Sequence, residues 1–87
     1  MKLDLNFDLK DLAGNVIPES NCGKIVANAL TQEAQGDALK YWDWALKLHN
    51  GKVLELDNSD QGTFKEYIKS SQYLSILLKA QVLLLFK

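Results

Sequence analysis

The chain opens on a strict alternation. Leu3, Leu5, Phe7 and Leu9 are apolar, and Lys2, Asp4, Asn6, Asp8 and Lys10 between them are polar. A period of two sets all four large side chains on one face and predicts a half-buried strand. Asp11-Leu12-Ala13-Gly14-Asn15 follows, rich in residues that tolerate positive φ, and then Val16-Ile17 before Pro18. This reads as a hairpin with a short second strand ended by the proline. Beyond it the period lengthens. Ser20 or Asn21 can cap a helix reaching about Thr31, with Ile25, Val26, Ala29 and Leu30 as its apolar side. Gly23 weakens that helix near its start, and Gln35-Gly36 breaks it.

Asp37 opens the strongest helical pattern, Ala38 to about His49. At about 100° per residue, Leu39, Trp42, Leu46, His49, Ala38, Ala45, Tyr41, Leu48 and Trp44 share one arc, leaving Lys40, Asp43 and Lys47 in a narrow polar sector. An arc wider than half the circumference exceeds what a surface helix needs. The helix is therefore either central or turned partly toward another chain. Trp42 falls in mid-arc and is expected in the core, whereas Trp44, near the edge beside Tyr41 and Leu48, is a candidate binding anchor unless the last helix covers it. Asn50-Gly51 supplies a left-handed C-cap. Lys52 to Leu56 reads as an extended piece that can join the hairpin. Asp57 to Asp60 caps a third helix, Asn58 to about Lys69, whose Phe64, Tyr67 and Ile68 share a face. After Ser70-Ser71 a last helix is expected from about Gln72 to Leu85, with Gln72, Ser75 and Lys79 as its polar stripe. The prediction is one α+β domain, residues 1–87, in which an N-terminal β-hairpin packs on three to four helices.

Composition narrows the chemistry. Ten lysines, eleven acids and no arginine give a net charge of −1. Such a chain lacks the guanidinium forks that favour phosphates and base edges, which argues against nucleic acid. One cysteine, Cys22, excludes an internal disulfide, and with one histidine, His49, it defines neither a zinc site nor a nucleophile–base pair. Both residues read as packing or capping groups. Asp57, Ser59, Gln61 and Gly62 imitate the start of a calcium loop, but Ile68 stands where its final bidentate glutamate belongs, so no metal is expected. The five glycines are scattered beside turns and helix ends, and no phosphate-cradling loop forms. Neither catalysis nor a cofactor is expected.

The C-terminal run concentrates apolar side chains. Ile76 to Phe86 is eleven residues long, interrupted by Lys79 and Gln81, against about 20 for a membrane span. Val82, Leu83, Leu84, Leu85 and Phe86 encircle the helix, and a helix packed on one side cannot bury five successive apolar groups. The candidate interface is accordingly Tyr41, Trp44 and Leu48 with Val82, Leu83, Leu84, Leu85 and Phe86, facing a second copy or another protein. The N-terminus shows no secretory signal, and with a free cysteine a reducing cytoplasm is the expected compartment.

The order of segments is similar to that of small proteins encoded by tailed bacteriophages and prophages. The similarity rests on Leu9 to Ile17 leading into Gly23 to Leu30, then Leu39-Lys40-Tyr41, then Leu54-Glu55-Leu56-Asp57 before another helix. It implies a non-enzymatic accessory or assembly role inside a bacterial host. The functional expectation is a self-associating protein-interaction module. The alternative is a small-ligand-binding or sequestering protein with its site between protomers.

Overall fold

The alternating segment does turn Leu3, Leu5 and Leu9 into the core, with Phe7 half-buried, but not as one strand. In the computed structural model, which describes Met1–Phe86, it divides into β1 (Lys2–Leu3) and β2 (Asp8–Lys10). The cause is local. The Asp4 carboxylate accepts from the Asn6 amide at 2.9 Å, and the Phe7 amide bonds back to the Leu5 carbonyl, so the chain bends between the halves.

β2 pairs antiparallel with β3 (Val16–Asn21) across a turn in which the Asp11 carboxylate accepts from Ala13 and Asn15 and Gly14 takes a φ of 88°. β3 runs through Pro18 instead of stopping there. The register sets Lys10 against Val16 and Asp8 against Asn21, so four residues, Ile17 to Ser20, face Leu9 alone. Within this bulge the proline owes no ladder donor, and the Ser20 hydroxyl replaces the missing partner. Its Oγ accepts from the Leu9 amide at 2.9 Å and donates to the Ile17 carbonyl at 2.6 Å.

Four helices follow: α1 (Cys22–Gln32), α2 (Ala38–His49), α3 (Asn58–Ser70) and α4 (Ile76–Leu84). Asn21, Asp37, Asp57 and Ser75 cap them, each side chain accepting from the backbone amide three residues on. α2 ends in a Schellman arrangement, with Lys52 N on Lys47 O, Gly51 N on Leu48 O and Gly51 at φ 72°. Between α2 and α3, β4 (Leu54–Glu55) pairs antiparallel with β1 rather than with the hairpin, so the fold holds two separate two-stranded sheets.

The architecture is α+β. The strands close one side of a core built from α1's Val26 and Leu30, α2's Trp44 and Leu48, α3's Phe64 and Ile68, and α4's Leu78 and Val82. Gly23, which weakens α1 as an isolated helix, is what lets its first turn dock. A β-carbon there would lie 3.1 Å from the Leu48 carbonyl oxygen and 3.3 Å from that of Leu5. The Cys22 and Gly23 amides instead donate to the Phe7 and Leu5 carbonyls, so the helix start is sewn onto the N-terminal segment. At the opposite edge, the Gln81 side chain accepts from the Lys10 amide and donates to the Lys10 carbonyl, tying α4 to β2.

α4 begins four residues later than expected. The Ser71 hydroxyl accepts from the Tyr73 amide and stabilises a turn there, while Ser75, expected in a polar stripe, is the N-cap. Gln72 therefore lies outside the helix.

Candidate functional site

Of the eight candidate interface residues, three are core. Trp44 is 4% exposed, and Leu48 and Val82 are fully enclosed. Trp44 sits edge-on to Phe64 at 5.3 Å between ring centres and stacks with Tyr41 at 5.9 Å. Tyr41 is half-buried and meets Tyr67 edge-on at 5.3 Å. Leu83 and Phe86 are also half-buried, Phe86 stacking on Phe64 at 6.2 Å with the Lys65 ammonium 5.6 Å from its centre. Leu84 turns mainly outward, at 58%, and Leu85 is 43% exposed.

The correction on α2 has a definite cause. Lys40, placed by pattern in the solvent sector, instead bonds Asp60 at the start of α3, with its ammonium 5.9 Å from the Trp44 ring centre. The bond to Asp60 raises the lysine's pKa and keeps it charged. Burial of Trp44, Ala45 and Leu48 turns this side of α2 inward, with the Lys40–Asp60 bond at its edge, and brings the far side of the arc to the surface. Leu39, Trp42 and Leu46, expected among the buried positions, are 83%, 56% and 44% exposed.

Two apolar faces are thus only partly covered by the chain. On α4 and its flank, Ile76 is 80% exposed, with Leu84 and Leu85 near the other end. On α2, Leu39, Trp42, Leu46 and His49 form a continuous outer stripe. Beside Trp42, a cavity of about 230 Å³ opens at the α1–α2 connection, lined by Glu33, Gly36, Tyr41 and Trp42 among others. A second hollow, about 210 Å³ and almost wholly apolar, lies between Ala27 and Thr31 of α1 and Trp42, Leu46 and His49 of α2.

Polar groups inside the domain are tied to one another. The Ser71 hydroxyl donates to the Glu33 carboxylate at 3.0 Å, with the Tyr67 Oη 3.4 Å from the same Oγ. Burial, opposed by the Ser71 hydrogen bond and reinforced by Glu33, raises the Tyr67 phenol and keeps it protonated. This chain links the end of α1 to α3 and to the turn before α4, a structural role sequence spacing does not announce. Asp57 is engaged as the α3 cap, and Asp60 pairs with Lys40. Among the described residues no group of three or more His, Cys, Asp or Glu side chains is placed to hold a metal ion, and no helix is long and apolar enough to cross a membrane.

Cys22 is buried at the start of α1, and burial pushes its thiol up to about 12. A disulfide reagent at pH 8 should therefore modify the native protein only as it opens, at least about a thousandfold slower than the denatured chain. The same burial sets a pH dependence. The unfolded thiol ionises near its ordinary 9.0 and the folded one only near 12, so the unfolded state loses its proton first and stability falls as pH rises through that window. Tyr67, raised from 10.0, adds to the fall at higher pH. Thermal melts from pH 8 to 11 should show a declining Tm, less steep in Cys22→Ala; an unchanging Tm would exclude this burial.

No protein-family model, curated protein or solved structure matches the chain.

Proposed function

We propose that the chain is a non-enzymatic protein-interaction module that associates with itself through apolar helix surfaces. The supporting observation is the presence, on one 87-residue domain, of two outer helix faces with large apolar side chains left substantially exposed: Leu39, Trp42 and Leu46 on α2, and Ile76 with Leu84 and Leu85 on and beside α4. Isolated exposed leucines are ordinary, but apolar groups in register along a helix face usually mark contact surfaces. With no arginine in the chain, binding energy at these faces comes mainly from aliphatic and aromatic burial. The order of segments, similar to that of small tailed-phage proteins, favours an accessory or assembly role in a bacterial cytoplasm.

Sedimentation velocity over a micromolar concentration series tests the central claim. A dimer or larger species is expected, and a monomer throughout the series would overturn self-association. The Glu33–Trp42 cavity favours a second reading, a small-ligand binder whose site is completed between protomers. That reading expects a thermal shift with some member of a metabolite panel, and a flat response would dismiss it.

A further inference from the structure

Three features meet at the cavity of about 230 Å³ where α1 gives way to α2. The first is negative charge. The Glu33 carboxylate lines the cavity and accepts from the neutral Ser71 hydroxyl, and among the described residues no ammonium group pairs with it. The second is the end of α1, whose last turn supplies Leu30 and Thr31 to the wall. α2 and α3 each carry a basic residue in the last turn, whereas α1 carries none, so the negative pole of its dipole is uncompensated. Among the described residues no donor reaches the carbonyls of Leu30, Thr31 or Gln32. The third feature is aromatic. Tyr41 and Trp42 form the α2 side, and Tyr41 lies so close against Gly36 that a β-carbon there would come within 2.6 Å of its ring.

We propose that this cavity binds a primary alkylammonium ion, its head against Glu33 and the carbonyl end of α1 and its chain along Tyr41 and Trp42. The proposal rests on the ligand-binding reading of the same cavity and names the class of ligand. A cation gains from all three features, because a carboxylate, a helix C-terminus and an aromatic ring each attract positive charge. An anion is opposed by Glu33 and by Asp37, which opens α2 between the lining residues Gly36 and Ala38. Tyr41 registers that field. Burial and then the charges of Glu33 and Asp37 raise its phenol, so the hydroxyl stays protonated at neutral pH. Shape and donors separate the cations from one another. A bare metal ion wants several oxygen ligands, and the described residues gather no such group. A quaternary ammonium has no N–H to give the α1 carbonyls, whereas a primary one has three. Ala34 and Ala38 complete the apolar lining that suits its alkyl chain.

Titration of the full chain with n-butylammonium chloride at constant ionic strength and neutral pH, followed by proton–nitrogen correlation spectra, tests the site. Saturable shifts are expected at the Gly36 and Ala38 amides and the Trp42 indole N–H, with a dissociation constant in the millimolar range. The neutral n-butanol, of the same size, should bind about tenfold more weakly. Glu33→Gln, which keeps an acceptor for Ser71, should weaken butylammonium binding about tenfold, and Trp42→Leu about threefold. Circular dichroism checks that both variants keep their fold. Nα-acetyl-lysine methylamide in the same titration separates two sources of the group: tighter binding than butylammonium supports a lysine side chain, and weaker binding a free amine. Butanol binding as tightly as butylammonium, or butylammonium binding untouched by both substitutions, would overturn the cation site. Shifts that never saturate would overturn it too. If a neutral or anionic metabolite then still raises the Tm, the ligand-binding reading stands without the cation; if the whole panel is flat, both fall.

Discussion

Replacing Phe64 with alanine is expected to cost about 3–5 kcal/mol, the range for a fully enclosed phenylalanine. The side chain is inaccessible to solvent and stands where three helices meet. Its own helix is α3, the edge contact with Trp44 reaches α2, and the stack with Phe86 reaches the turn that follows α4. Removing the ring therefore leaves a cavity bordered by elements that cannot collapse together without shifting one another. At about 0.05–0.15 kcal/mol per residue, a domain of 87 residues has a total stability of about 4–13 kcal/mol, so the variant is expected to be partly or wholly unfolded at 37 °C. Phe64→Leu keeps most of the volume and should lose much less, about 1–2 kcal/mol. Urea titrations of the three proteins give the comparison. A loss below about 1 kcal/mol for Phe64→Ala would show that the three-helix junction does not depend on this ring.

What the sequence makes legible here is what short-range chemistry decides. Asn21, Asp37 and Asp57 cap their helices, and Gly51 ends α2, because each acts on amides or carbonyls within a few residues. The inward turn of Leu3, Leu5 and Leu9 is equally local, since alternation alone selects a face. The pairing of that segment is not. β1 finds β4 more than fifty residues away, and nothing in either stretch specifies the other. Gly23 shows the same limit from the opposite direction: it looks like a flaw in α1 until the Leu48 and Leu5 carbonyls are seen beside it. Ser75 fails for a different reason. A serine is as consistent with a polar stripe as with a cap, and only the competing Ser71 turn decides between them. The candidate interface was legible in its chemistry, apolar and helical, but not in its position. On α4 the outward side includes Leu84 and Leu85 while Val82 is core; on α2 the arc is too wide to orient, and the Trp44–Phe64 packing that orients it joins two separate helices.

That orientation makes the two tryptophans of α2 a direct test, because pattern and structure assign them opposite roles. Trp44→Ala should cost about 3–5 kcal/mol, since it removes a ring held between Tyr41 and Phe64 and strips the Lys40 ammonium of the aromatic face beneath it. Trp42→Ala should cost the isolated chain less, about 1–2 kcal/mol, because more than half of that residue already meets solvent. The comparison must be made at concentrations where the chain is monomeric, since Trp42 lies on the α2 face proposed for self-association and its loss there would appear as stability. Denaturant titration followed by far-ultraviolet dichroism reads both variants without relying on tryptophan emission. If Trp42→Ala proved the costly substitution and Trp44→Ala the mild one, α2 would have to be rotated by roughly half a turn, residues two apart on a helix differing by about 200°. Leu39 and Leu46 would then lie inward and Leu48 outward. The core and the proposed contact face of α2 would change together, because both depend on the one rotation that the burial of Trp44 and Leu48 sets.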